Sequence, residues 1–204
     1  MRQTRSLAAA AAVLVVGVVL HWVGVVDAAT AAERGILLEF KAAVTDPNGA
    51  LASWTAGGDP CVDFAGVTCD PSSRAVQRLR VHGAGIAGKL TPALGRLAAL
   101  ESVSLFGNGL SGGIPSSFSA LGPTLHKLNL SRNTLSGEIP PFLGAFPWLR
   151  LLDLSYNAFS GEIPASLFDP CLRLRYVSLA HTALTGPVPP AITNCSRLAG
   201  CDVS

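Results

Sequence analysis

From residue 76 onward the hydrophobic positions recur in one fixed pattern. Leucine or a close substitute stands first, fourth and sixth, followed by an asparagine, a glycine and an isoleucine–proline pair. Segments begin at Val76, Leu100, Leu125, Leu149 and Leu174, and a sixth begins at Leu198, so the period is 24 or 25 residues. Superposed, they read LxxLxLxxNxLxGxIPxxLxxL. The copy from Leu125 to Pro140 fits at every fixed position. The first copy has Ala84 for the asparagine and Thr91 for the proline, and the fifth has Thr182 for the asparagine. A constant period in this range marks a solenoid, whose units bury their apolar faces only against their neighbours.

Each fixed residue has a physical task. In LxxLxL the side chains alternate, so Leu128 and Leu130 point inward while Lys127, Asn129 and Ser131 face solvent. Stacked copies then form a parallel sheet along one side. Asn108, Asn133 and Asn157 end the strands and turn the chain inward. Their amides must bond backbone groups along the stack, because a buried unpaired amide costs about 1–3 kcal/mol. Pro115, Pro140, Pro164 and Pro189 interrupt helices and central ladders alike, so the return leg is expected to be extended and then a short 3₁₀ or helical turn. The first unit would expose its leucine-rich end unless something covered it. Ahead of it, Ile36, Leu37, Phe40 and Val44 lie at helical spacing and form one apolar stripe, and Trp54 is placed to cover the edge of the first strand.

The N-terminus reads as a targeting segment. Arg2 and Arg5 precede an almost unbroken Ala/Val/Leu run from Leu7 to Val26, and Ala29-Thr30-Ala31 offers a cleavage site. The run is also just long enough for an uncleaved anchor. Either outcome puts the remaining chain outside the cytosol, secreted or on the extracellular face of the plasma membrane. There the five cysteines meet an oxidising medium, with one left over after pairing. Cys171 and Cys195 occupy equivalent places in successive coils, so a bridge is feasible; two half-buried thiols are the alternative. Cys201 falls on an inward strand position normally held by leucine, where it is expected as a core thiol. Asn129-Leu-Ser131 and Asn194-Cys-Ser196 are glycosylation sequons.

Lys and Arg number 15 against 13 Asp and Glu, with no basic run, so nucleic acid is not an expected partner. Gly83-Ala-Gly85-Ile-Ala-Gly88-Lys89 resembles a phosphate loop, but Leu90 stands where Ser or Thr would hold the metal, and the segment is in repeat register. His82, His126 and His181 lie in three different units without a carboxylate pattern, as surface histidines do. No catalytic residues, metal ligands or cofactor are expected.

These motifs carry a family resemblance over the whole chain after its leader. The Gly-x-Ile-Pro repeats at Gly112, Gly137 and Gly161 follow a stretch Glu33-Arg-Gly-Ile-Leu-Leu-Glu-Phe-Lys41, then Asp46-Pro-Asn-Gly49, Ser53-Trp54, Asp59-Pro-Cys61 and Gly66-Val-Thr-Cys69. Together they resemble the extracellular domain of plant leucine-rich-repeat receptor-like kinases. The resemblance implies an α/β fold, a right-handed leucine-rich-repeat solenoid of the plant-specific type. A parallel β-sheet would line its concave face, extended and 3₁₀ segments its convex face, and a helical cap its N-terminus. With the leader and the period read above, the chain divides into a leader over 1–31, a cap over 32–75, five repeats over 76–197 and the start of a truncated sixth over 198–204. The resemblance also implies a Cys61–Cys69 bridge in the cap, worth roughly 2–3 kcal/mol.

The function implied is extracellular recognition of a secreted peptide or protein ligand, with a co-receptor ectodomain as a further partner. Membrane association would run only through an uncleaved N-terminus or a region missing from the C-terminus. The rival is a secreted inhibitor of cell-wall enzymes or another secreted binder built on the same repeat. Recognition would fall to the outward side chains of the strands: Arg80, His82, Phe106, Asn129, Arg132, Asp153, Tyr156, Tyr176 and His181. Among these, Phe106, Tyr156 and Tyr176 are exposed aromatics of the kind that anchor interfaces.

Overall fold

The computed structural model describes residues 30–204, and the leader expected over 1–31 lies almost wholly outside the described residues. A helix, α1, spans residues 30–42. Thirteen short strands follow it: β1 (Val44–Thr45), β2 (Val67–Cys69), β3 (Val76–Arg80), β4 (Ala87–Lys89), β5 (Ser102–Ser104), β6 (Gly109–Gly112) and β7 (Lys127–Asn129). Then come β8 (Thr134–Gly137), β9 (Leu151–Asp153), β10 (Ala158–Glu162), β11 (Tyr176–Ser178), β12 (Ala183–Thr185) and β13 (Gly200–Asp202). Five 3₁₀ turns, each starting just after the repeat proline or its substitute Thr91, lead back to the next coil.

Two sheets result. The strands of the LxxLxL segments pair in parallel from β3 to β13, and β2 adds to β3 antiparallel. Inward residues stack rung over rung: Leu79, Val103, Leu128, Leu152 and Val177 are in register and fully buried. The second sheet, β4-β6-β8-β10-β12 with β1 on its edge, was not foreseen as a sheet. Its residues were expected to be extended. Once identical extended segments are stacked in register, their backbone groups find partners only in the neighbouring coils. The 3₁₀ turns fill the other side of the core with Phe118, Leu121, Leu143, Leu167 and Phe168. Strands stack about 4.8 Å apart while turns need more room, so the array bends with the LxxLxL sheet on the concave side.

The asparagines tie the coils together. Asn133, buried, donates to Leu105 O of the preceding coil at 3.0 Å and to Leu130 O of its own at 2.9 Å, and it accepts from Leu110 N at 3.0 Å. Asn108 and Asn157 repeat the arrangement one coil to either side. Thr182 keeps only the bond within its own coil, to Leu179 O at 2.8 Å.

The cap closes the N-terminal end by a different means from the one expected. Trp54 is buried inside the cap, stacked on Phe64 at 5.4 Å with its indole N–H on Ala65 O, and β2 covers the edge of β3 instead. A strand edge needs hydrogen-bond partners, which an indole ring cannot supply in a row. Ile36, Leu37 and Phe40 are the buried face of α1; Val44 falls beyond it, half-buried on β1. Glu33 accepts a hydrogen bond from Val76 N at 2.9 Å, pinning helix to first repeat. Burial raises its pKa, and the Val76 bond opposes that.

Two disulfides are formed, Cys61–Cys69 in the cap and Cys171–Cys195 between successive coils, with Cα separations of 5.4 and 4.9 Å. Cys201 is a correction to the expected core thiol: it is free and exposed. It pairs in register with the buried Val177, but no described rung lies over its other side.

The asparagine row predicts two opposite mutational effects. Asn133→Ala leaves buried backbone groups unpaired and should lower unfolding free energy by about 2–3 kcal/mol. Thr182→Asn should add the missing bonds to Leu154 O and Phe159 N and raise stability by roughly 1 kcal/mol. Denaturant titration measures both; no gain from Thr182→Asn would mean that the last coils are not held as the earlier ones are.

Candidate ligand-binding face

Strand register arranges the outward side chains of the concave sheet in columns. One runs Arg78, Ser102, Lys127, Leu151, Tyr176, Gly200, and the next runs Arg80, Ser104, Asn129, Asp153, Ser178, Asp202. Exposure is uneven. Arg80, His82, Phe106, Arg132, Tyr156, Tyr176 and His181 are exposed, and Asn129 and Asp153 are half-buried. Ser131, expected to face solvent, is buried, as are Ser102, Ser104, Ser155 and Ser178. They do point outward, but short side chains between taller neighbours are shielded. Ser131 and Ser155 donate their hydroxyls to Asn129 and Asp153 Oδ1 at 2.7 Å, which fixes those two polar groups on the sheet. The Ser102 hydroxyl, in register with Arg78 and Lys127, is buried and has no protein partner among the described residues.

The strand ends carry the most informative feature. Arg132, Tyr156 and His181 occupy one position in successive repeats, and all three have φ between 53° and 54°. Gly83 and Gly107 take the same position and conformation in the first two repeats. A left-handed non-glycine residue costs about 1–2 kcal/mol, so three in a row are held by the coil and not by their own preference. The result is a continuous stack: the Arg132 guanidinium lies 4.4 Å from the Tyr156 ring centroid, and the Tyr156 and His181 rings are 4.2 Å apart. At the other end Phe106 meets His82 edge-on at 6.0 Å, and His82 Nε2 is 2.7 Å from Ser104 Oγ. Tyr176 stands apart, in the first outward column with Arg78 and Lys127. The sequence held the signal for the row, namely glycine in two copies where the others carry large polar or aromatic residues.

Charge divides the face. Arg78, Arg80, Lys127 and Arg132 lie toward the cap, and Asp153 and Asp202 lie toward the C-terminal coils. The cationic end acts on His82: burial first, then the charges of Lys127 and Arg80, hold its imidazole below the ordinary value of 6.5. The native state therefore resists protonation more than the unfolded chain does. The contribution of His82 to stability is complete above the unfolded value and is lost as the pH falls below it.

Of the two sequons, Asn194 is exposed at the end of a 3₁₀ turn, while Asn129 sits in the middle of the concave sheet between Ser104 and Asp153. A glycan on Asn129 would cover the face, so the roles expected of that residue exclude each other. Sequence reasoning passed over Trp148, exposed on the flank of the sheet beside His126 and Arg173. It stands before the first leucine of its repeat, outside the LxxLxL strand pattern.

Two outcomes test this geometry. Lys127→Gln should raise the His82 pKa toward its ordinary value, read from imidazole resonances during an NMR titration; an unchanged midpoint would remove the cationic field. Tyr156→Gly relieves the left-handed backbone while losing the stack, so stability should change by less than about 1 kcal/mol. Leu152→Ala in the core below should cost about 2–5 kcal/mol in the same assay.

Comparison with known proteins agrees with this architecture. The family described as "Leucine rich repeat N-terminal domain" matches residues 31–70, and "Leucine Rich Repeat" matches 99–121, 124–146 and 148–169. The leucine-rich repeat receptor-like protein kinase PXC2 of Arabidopsis thaliana is 37% identical over 101 residues, 49% of this chain and 10% of that protein. The chain thus spans about a tenth of the length of this curated relative. The crystal structure of the BIR2 ectodomain from Arabidopsis thaliana superposes with a TM-score of 0.70 at 34% identity, covering 81% of this chain and 92% of that one. The Arabidopsis HAESA ectodomain, crystallised with an N-terminally extended IDA peptide hormone, gives a TM-score of 0.75 at 30% identity over 84% of this chain and 28% of its own. The chain belongs to the family of leucine-rich-repeat ectodomains found in plant receptor kinases.

Proposed function

We propose that the chain is the extracellular recognition module of a receptor-like kinase type, binding a secreted peptide or protein on its concave face without chemistry of its own. In this proposal residues 1–31 are a leader, 32–75 the cap, 76–197 five repeats and 198–204 the start of a sixth. The observation that carries it is the exposed Arg132–Tyr156–His181 stack, held in left-handed backbone on three successive rungs. A repeat has no structural use for such residues where glycine serves in its own first two copies. Rigid aromatics with little entropy to lose suit a binding surface.

Support for a peptide as ligand comes from the HAESA neighbour, whose structure holds a peptide hormone. A co-receptor ectodomain is the second partner proposed, by analogy with the HAESA complex that also contains SERK1. Asp153, Asn129 and Tyr176 would meet the ligand's polar groups, and Arg80 and His82 its acidic end. Asn194 is the proposed glycan site. The rival, a secreted inhibitor of cell-wall enzymes, shares the scaffold; a kinase reading frame downstream in the same gene would argue against it.

The test is a binding screen of secreted plant peptides against the ectodomain. For a peptide that binds, Phe106→Ala and Tyr156→Ala should each weaken affinity by about tenfold, the size of an anchor's contribution. Glu138→Ala, exposed beyond β8, should leave it unchanged. Equal losses from both faces, or none from either, would overturn the assignment.

A further inference from the structure

A second surface lies beside the concave sheet, on the flank where each strand begins. Backbone hydrogen bonds place Gln77, Glu101, His126, Arg150, Arg175 and Ala199 on successive rungs of one column: each of their N–H groups from Glu101 to Ala199 donates to the carbonyl of the rung before, at 2.7–2.8 Å. Two residues earlier in each repeat, a parallel column carries Thr124, Trp148, Arg173 and Arg197. The two columns together bring four arginines, His126 and one tryptophan to a single strip. Trp148 is 39% exposed in the middle of it. The Arg173 guanidinium lies 4.2 Å from the Trp148 ring centroid, and the His126 ring is 6.2 Å away on the other side.

This strip has no internal explanation. The ion pairs among the described residues are Arg74–Asp59 and Arg96–Glu39, both elsewhere. Among the described residues, the side chains of Arg150, Arg175 and Arg197 have no hydrogen-bond partner, and all three are exposed. Like charges one strand spacing apart, about 4.8 Å, repel each other unless an anion lies across them. Next to Trp148 a shallow cleft of about 310 Å³ is walled by Glu101, Pro123, Thr124 and His126. It therefore combines one flat apolar ring with hydroxyl, carboxylate and imidazole groups.

We propose that this flank binds an acidic polysaccharide, with the arginine column pairing successive anionic groups of the polymer and Trp148 packing against a sugar ring in the cleft. A polyanion is called for by the charges: Arg presents a planar fork suited to carboxylate or sulfate, and regularly spaced forks suit a ligand whose anions also repeat. A saccharide is called for by the tryptophan and by a mainly apolar cleft edged with hydroxyl, carboxylate and imidazole groups, since a purely ionic contact needs neither. The two disulfides suit an oxidising extracellular medium, where acidic saccharides are a common class of polyanion. The site is independent of the concave face and stands or falls apart from it.

The test uses the secreted chain and three probes at matched chain length: polygalacturonate, a sulfated glucan, and neutral galactan. Polygalacturonate or the sulfated glucan should bind, with affinity falling steeply as salt rises, and galactan should not. Which of the two acidic polymers binds more tightly identifies the anion. Arg150→Glu with Arg175→Glu should lower that affinity by more than about tenfold and flatten its salt dependence. Trp148→Ala should lower it by at least about threefold without changing the salt dependence. Arg78→Glu with Arg80→Glu, on the concave face, should leave it unchanged. All variants change exposed side chains, and unaltered thermal unfolding checks that each is folded. Binding that survives the Arg150/Arg175 reversal, or that falls equally with the Arg78/Arg80 reversal, would overturn the proposal. So would poly-glutamate binding as tightly as the polysaccharides with no effect of Trp148→Ala, because the flank would then be a docking surface for acidic protein.

Discussion

Everything in this protein depends on one coil lying against the next. A single repeat has a row of inward leucines, an inward asparagine and two unpaired strand edges, and none of these is satisfied within the repeat itself. Leu128 is buried because Val103 and Leu152 lie above and below it. Asn133 meets its bonding needs only by reaching back to Leu105 and forward from Leu110. The hydrophobic and polar parts of the argument thus point the same way. Burial sets how closely the coils approach, and the asparagine row fixes how they are rotated, since amide bonds of 2.8–3.0 Å tolerate little displacement. At its first end the stack needs a different structure, and α1 with β2 and the buried Trp54–Phe64 pair supplies it.

That rigidity explains how the concave face can hold side chains in conformations they would not choose. The backbone of Arg132 and Tyr156 is set by the turn that Asn133 and Asn157 enforce one residue later, and His181 takes the same conformation ahead of Thr182. The cost is spread over an array in which Asn108, Asn133 and Asn157 close successive coils with the same bonds. For the proposed recognition the consequence is pre-organisation: the guanidinium and two rings are stacked before a ligand arrives, so little order remains to be imposed on binding. The division of charge along the same face adds direction, favouring an extended ligand that carries its acidic groups toward the cap.

The repeating half of the fold was legible because its signal is redundant. An alternation of leucines that fails at one copy, as at Ala84 or Thr182, is recovered from the others. The cap was legible in its helix but not in how it closes the stack. Trp54 could be read as an edge cover because its apolar character says nothing about which surface it meets, whereas the backbone requirement that β2 meets leaves no mark on side-chain identity. The second sheet escaped notice for a similar reason: Gly109–Gly112 and Thr134–Gly137 lack the β-branched pattern of a strand, and their pairing comes from stacking alone. On the concave face, period two gave the direction of every side chain but not its exposure. Ser131 and Arg132 stand side by side, yet one is buried and the other open, a matter of neighbouring heights that no single repeat encodes. The flank around Trp148 was invisible because it becomes a surface only when several coils are aligned.

The Cys171–Cys195 bond has an effect beyond its own neighbourhood. In a one-dimensional lattice of coils, thermal opening begins where neighbours are fewest and passes inward one unit at a time. A covalent tie across successive units makes the two it joins a single unit in that process, so peeling cannot stop between them. The tied loop contains Tyr176 and His181, the last two aromatic positions of the face. Fraying that reached them would have to open both coils together, which keeps that end of the face intact through the small fluctuations that loosen one turn at a time.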